Sequence, residues 1–246
     1  MCSLFQLFQN KHLKNRINSY VCHRMKFLTS ILFVGLIVLL SGCFEVVEEV
    51  SYNTNESGSY SITANASLSK TRLKTLLELD TFMGADMPDK YDIMVYLDSI
   101  EYTIIKSSRA GISNVKKNID FDNFIFSISF NFNKTETLNL ALNNVAKFVA
   151  KKEEMEKFNM FDFSNKIFSR NSNQKDAKTD IPDKYKDVIN QVSDATFTSI
   201  YRFQTPVKSV GNKHSKISKS GKAVMQKQRI PEIIKDPKIF QNTINF

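Results

Sequence analysis

The chain has no tryptophan, three cysteines, three histidines and seven glycines in 246 residues. Cys2, Cys22, His12 and His23 all fall in the first 24 residues, so Cys43 and His214 are the only ones left beyond them. A structural zinc site needs about four Cys/His-type ligands and a disulfide needs two cysteines; residues 43–246 supply neither within one chain. Acids are missing from the start: residues 1–43 hold Lys11, Lys14, Arg16, Arg24 and Lys26 and no Asp or Glu. The formal charge of +9 therefore falls to +4 over residues 44–246, and a nucleic-acid partner is not expected. Catalytic signatures are missing too. There is no Gly-x-Ser-x-Gly elbow, and Gly221-Lys222 lacks the spacing of a phosphate loop, with Gly211 ten positions back and Ala223 following the lysine. His214 has no acid near it in sequence between Asp194 and Glu232, so it reads as a solvated loop residue rather than a general base. Glu153, Glu154 and Glu156 alternate with Lys151, Lys152 and Lys157, which suits ion pairs along a helix end. Asp86, Asp89 and Asp92 flank a helix start, where the dipole favours acids, and lack calcium-loop spacing. The chain is expected to be no enzyme, with no metal and no cofactor.

What is there begins with Phe27–Leu40, the most apolar run, 14 residues long. At about 1.5 Å per residue it makes about 21 Å of helix, short of the ~30 Å bilayer core. Arg24 and Lys26 precede it and the small Ser41-Gly42 follow, the layout of a cleaved signal peptide. Leu40-Ser41-Gly42-Cys43 then resembles the lipobox of bacterial lipoprotein precursors, with all four positions matching over the stretch Met25 to Cys43. The resemblance implies a diacylglyceryl thioether on Cys43, cleavage before it and an acyl chain on its new amino group. Two or three chains, at about 0.8 kcal/mol per buried CH₂, make such a residue a permanent membrane resident. Phe44 rather than Asp after the cysteine implies the outer membrane of a Gram-negative cell. An uncleaved signal anchor is the rival reading. Residues 1–24 form a long n-region or an over-extended start, 25–42 the signal peptide, and 43–246 the mature domain, with a basic hairpin region over 207–230.

The mature domain reads as α+β, antiparallel hairpins packed on several helices in a single unit, and in general plan it resembles envelope lipoproteins of that build. Val46, Val50 and Tyr52 mark a first strand, Asn53–Gly58 a turn, and Tyr60–Leu68 a second strand by strict alternation. Glu45, Glu48 and Glu49 read as a solvated face. Ser69 is expected to cap a helix over 70–83 with Leu73, Leu76 and Leu77 on one side, and Pro88 to admit a second helix to Lys106. A phenylalanine-rich hairpin turns at Asp122-Asn123, pairing Phe121 with Phe124, Ile119 with Phe126 and Val115 with Phe130. Asn133 and Glu136 form a capping box for a helix to about Lys152 that buries Leu138, Ala141, Leu142, Val145 and Phe148. A weaker hairpin over 158–170 turns near Ser164-Asn165, and a short helix starts at Pro182 with Tyr185, Val188, Ile189 and Val192. A strand through Phe197, Tyr201 and Phe203 leads to a tail hairpin over 208–229 turning at 219–222.

Two functional features survive. From Ala195 to Pro231 there are eight basic residues and no acid: Arg202, Lys208, Lys213, Lys216, Lys219, Lys222, Lys227 and Arg229. They read first as a solvated lysine-rich edge that discourages edge-to-edge aggregation; contact with anionic headgroups, at about 1 kcal/mol per charge on a membrane-tethered domain, or with an envelope protein is the alternative. The twenty phenylalanines fill a core or line an apolar cavity between sheet and helices, so an envelope interaction module and a carrier of an apolar or lipid ligand both remain open.

Overall fold

The structure, a computed structural model, describes residues 44–82, 85–152, 154–172 and 193–246. The lipobox Leu40-Ser41-Gly42-Cys43 and the helix expected from Pro182 lie outside them. No helix of the described residues is long and apolar enough to cross a membrane. The fold is α+β.

Alternation builds the opening hairpin: β1 (Glu45–Tyr52) pairs antiparallel with β2 (Gly58–Asn65), Val50 facing Tyr60 and Tyr52 facing Gly58. Gly58 tolerates no side chain, because a Cβ there would strike the Ser51 carbonyl and the Phe132 ring. The strand ends three residues earlier than its alternation suggests, and Leu68, expected on the buried face, is 76% exposed. The helix after it is also shorter: α1 spans Lys70–Leu76, not 70–83. Glu78 N–H donates to Thr75 and Leu79 N–H to Leu76, tightening the last turn, and a small hairpin of β3 (Thr81–Phe82) and β4 (Ala85–Asp86) follows. The Ser69 side chain does not cap α1.

α2 (Lys90–Ile105) matches the expected second helix, opened by a reciprocal Asp89/Asp92 capping box rather than by Pro88. β5 (Ile112–Asp120) and β6 (Ile125–Phe132) form the phenylalanine hairpin, with Ile119 opposite Phe126 as expected. Its loop has four residues, Phe121–Phe124, because Asp120 accepts hydrogen bonds from both the backbone and side chain of Asn123. A bulge at Asn114–Val115, with Asn114 at φ 51°, lets two residues face Phe130. α3 (Thr135–Ala150) starts after Lys134. Asn133 does not cap it; its Oδ1 accepts from the Thr137 hydroxyl instead. Leu138 and Ala141 are buried as expected, but Phe148, in the last turn before the left-handed Lys151, is 36% exposed.

The second hairpin is β7 (Phe161–Ser164) with β8 (Ile167–Arg170), turning at Asn165-Lys166, both left-handed, one residue later than expected. β9 (Thr196–Phe203) is followed by β10 (Ser209–Val210), β11 (Ser215–Ile217) and β12 (Ala223–Arg229). The tail hairpin is confined to β11–β12, because β10 pairs elsewhere. α4 (Ile230–Lys235) and β13 (Asn242–Asn245) end the chain.

These strands make two larger sheets. The first runs β11-β12-β9-β1-β2-β6-β5, and its centre is not antiparallel: β1 and β9 pair in parallel, Glu45 beside Thr196 and Tyr52 beside Phe203. The second runs β10-β13-β8-β7 and is antiparallel throughout. Helices α2 and α3 cover the β5–β6 part of the large sheet, and the small sheet covers the β1–β9 part through Phe161, Phe163 and Phe168. Asn139 and Asn143 of α3 tie down the β7 strand, each exchanging two hydrogen bonds with a backbone residue, Phe161 and Phe158 respectively.

The register defines two ends of the domain. Glu45, Asn65, Ile125, Thr196 and Arg229 stand together where β1 begins, two residues after Cys43. Tyr52, Gly58, Phe132 and Phe203 stand together at the other end. Seven strand steps at about 3.3 Å put these ends about 23 Å apart.

Candidate functional site

At the end remote from Cys43 the two sheets splay, and a cavity of about 630 Å³ opens between them. Its floor is aromatic because three strand ends and the chain terminus converge there. Tyr52 of β1 stacks on Phe163 of β7 at 5.0 Å, Phe203 of β9 lies parallel to Phe163 at 6.4 Å, and Phe246 meets Phe203 edge-on at 4.6 Å. Val207 and Pro206 continue the apolar wall, while Lys166, Lys208 and Glu56 stand at the mouth. The rim is braced by the backbone: Val207 N–H donates to Gly221 O, Lys208 N–H to Asn245 O, and Phe246 N–H to Lys166 O. Gln204 links across to the β1–β2 turn through Asn53 Oδ1 and the Thr54 N–H. The helices do not line this cavity, so the expected position between sheet and helices is corrected: sheet meets sheet here.

Behind it lies a buried polar cluster. Glu48, expected on a solvated face, is instead 2% exposed, because it shares the inward parity of Val46, Val50 and Tyr52. Its carboxylate pairs with the Arg170 guanidinium and accepts from the Ser199 hydroxyl at 3.1 Å and the Tyr60 hydroxyl at 3.3 Å. Arg170 also donates to the Tyr201 hydroxyl at 3.2 Å and stands over the Phe161, Phe197 and Phe240 rings at 5.3 to 6.0 Å. Glu48 belongs to the large sheet and Arg170 to the small one, so the pair fastens the two walls of the cavity. Glu48 is closed off from solvent and Arg170 nearly so.

Burial pushes the phenols of Tyr52 and Tyr60 well above their ordinary value and that of Tyr201 up to about 12. Each is held protonated by the fold, so this contribution to stability is complete below pH 10, the ordinary phenol value, and is lost as pH rises through the folded values. Denaturation followed from pH 8 to pH 12 is expected to show a falling midpoint above about pH 10, with a late fraction of phenolate absorbance appearing only on unfolding. Early, complete phenolate formation in the folded protein would contradict the burial.

The basic stretch divides. Arg202 pairs with Glu49 at 2.6 Å, Lys227 with Glu45 at 2.8 Å, and Arg229 with Glu232 at 2.8 Å. Hydrogen bonding to Lys227 is the first cause holding the Glu45 carboxyl below its ordinary value. The partners on β1 lie 153 and 182 residues away, brought close by the parallel β1–β9 pairing that sequence spacing does not reveal. Lys208, Lys213, Lys216, Lys219 and Lys222 are exposed. Lys208 is at the cavity mouth, and the turn carrying Lys219 and Lys222 hydrogen-bonds to the strand wall beside it. Lys208, Lys219 and Lys222 therefore cluster at the end remote from Cys43, whereas Lys216 stands level with Glu49 and Lys213 precedes it toward the Cys43 end. His214 is an exposed loop residue, and no group of three His, Cys, Asp or Glu among the described residues could hold a metal ion.

No protein-family model matches the chain, and no curated protein matches it. Among solved structures it is similar to the folded domain of LppM from Mycobacterium tuberculosis, determined by NMR. That chain is 14% identical, with 82% of this chain and 88% of the other covered, at a TM-score of 0.38. A likeness at that level carries no argument about function, which rests on this chain's own geometry.

Proposed function

We propose that the chain is a non-enzymatic bacterial envelope lipoprotein whose domain holds an amphiphilic ligand. The aromatic cavity carries this reading: about 630 Å³ falls within the roughly 300–1,000 Å³ typical of ligand pockets. An apolar body would lie on Tyr52, Phe163, Phe203 and Phe246, and an anionic head would meet Lys166 and Lys208 at the mouth. The Leu40-Ser41-Gly42-Cys43 motif supports anchoring through lipid on Cys43, and Phe44 supports the outer membrane. With the anchor at one end of β1 and the cavity at the other, the ligand would be presented away from the anchoring bilayer. The exposed Lys219 and Lys222 extend the basic surface on that side, and Lys216 and Lys213 continue it along the edge strand, where an envelope partner or anionic headgroups would approach.

The test is titration of the purified protein with decyl phosphate and decyltrimethylammonium below their micellar concentrations. Saturable binding is expected, tighter for the phosphate. Val207→Asp, which sets a carboxylate in the apolar wall, should weaken both by about tenfold or more. Lys208→Glu should weaken the phosphate selectively. Binding that is absent, or indifferent to Val207→Asp, would mean that the cavity is not a ligand site.

A further inference from the structure

We propose that the segment Ser67–Leu79 rests on the headgroup region of the bilayer that holds the chain, as a second, non-covalent membrane contact. It contains Leu68, Leu73, Leu76, Leu77 and Leu79, and not one of them is buried. Leu68 is 76% exposed and Leu79 42% exposed, and α1 contributes no buried residue to the domain. Lys70, Arg72 and Lys74 stand among these leucines with no acid before Glu78. A short helix whose leucines are half-buried, flanked by the exposed Leu68 and Leu79 and interleaved with lysines, matches the chemistry of the headgroup boundary, where apolar side chains sink a few ångströms and cations meet anionic lipid.

Position selects the bilayer as the occupant. Asn65 at the end of β2 pairs with Glu45 at the start of β1, Asn65 Oδ1 accepts from Ser67 N–H, and Ala66 N–H donates to Phe124 O. The segment thus leaves the sheet at the end where the chain emerges from Cys43. Two residues, one strand spacing and three further residues separate Cys43 from Leu68, an upper limit of roughly 23 Å. A lipid on Cys43 and an uncleaved apolar run ending at Leu40 both place the membrane at this end. Tyr91, 71% exposed at the start of α2, stands there too, next to Lys90 whose ammonium lies 5.6 Å over the Phe121 ring. Among the acids of this end, Asp89, Asp92 and Asp120 accept from neighbouring backbone N–H groups and Glu45 pairs with Lys227, while Asp122 is exposed in the turn.

The inference rests on the membrane tether of the proposed function and not on its cavity. The absence of tryptophan makes the test direct. Leu68→Trp and Lys219→Trp proteins, in their membrane-extracted form, are reconstituted into phosphatidylethanolamine/phosphatidylglycerol vesicles with and without brominated acyl chains. Leu68→Trp is expected to emit at shorter wavelength and to lose about half or more of its intensity to brominated lipid, and Lys219→Trp to be unaffected. Adding Lys70→Glu and Lys74→Glu to Leu68→Trp should reduce the quenching. Vesicle-bound protein with unquenched, solvent-like Leu68→Trp emission would overturn the contact, as would unquenched but blue-shifted emission, which would mean that protein covers the leucines. Protein that leaves the vesicles altogether would overturn the tether itself.

Discussion

Arg170→Met is expected to destabilise the domain by about 3–5 kcal/mol, because it strands the Glu48 carboxylate in the interior. The remaining donors to that carboxylate are two neutral hydroxyls, on Tyr60 and Ser199. Neutral hydroxyls do not replace a guanidinium that is only 12% exposed at its side chain and packed among three aromatic rings. The double change Glu48→Met with Arg170→Met should recover most of the loss, since a buried ion pair is often matched by apolar residues of similar size. A double-mutant cycle by guanidinium denaturation, read by circular dichroism, checks both statements. A loss under about 1 kcal/mol for Arg170→Met would mean the pair is solvated, as surface pairs are. The effect also has a location. Phe163 lies in the small sheet and Tyr52 and Phe203 in the large one, so loosening the pair should open the cavity they line and weaken amphiphile binding in the single variant.

This pair shows where the sequence is legible and where it stops. The inward parity of Val46, Val50 and Tyr52 is visible in the alternation, and it already assigns Glu48 to the buried face. Three glutamates in five residues suggest solvation instead, and only the distant Arg170 makes burial tolerable. Local chemistry is a good guide where neighbours in sequence decide. The Ile119–Phe126 register and both early hairpins follow from alternation and turn residues. It fails where tertiary partners decide. The parallel β1–β9 pairing joins residues about 150 positions apart, and it neutralises Arg202 and Lys227, which the sequence presents as free. The cavity needs Phe246, beyond a terminal strand that no sequence pattern suggests, beside Phe163 and Phe203. Leu73, Leu76 and Leu77 do lie at helical spacing, but spacing says only that they share a face, not what covers it.

The second large effect concerns Cys43. On the proposed lipidation of its sulfur, Cys43→Ala should abolish lipid attachment completely. One acyl chain anchors only marginally and two or three anchor durably, which makes the change close to all-or-none at the membrane. The folded domain should be untouched, because β1 begins at Glu45 and, among the described residues, the Phe44 carbonyl is the first backbone group bonded into the sheet, accepting from Thr196 N–H. Amphiphile binding by the cavity, some 23 Å along β1, is expected to persist in the variant. Loss of anchoring with retention of binding would separate the two ends of the domain by function as the strands separate them in space.

Lipid anchoring itself is tested most directly by the intact mass and membrane partitioning of the expressed protein beside its Cys43→Ala variant. The expected species lacks residues 1–42, carries added lipid mass and partitions with membranes, with cleavage and lipid both lost in the variant. A full-length, unlipidated species equally membrane-bound in both forms would contradict lipidation at Cys43 and identify an uncleaved signal anchor.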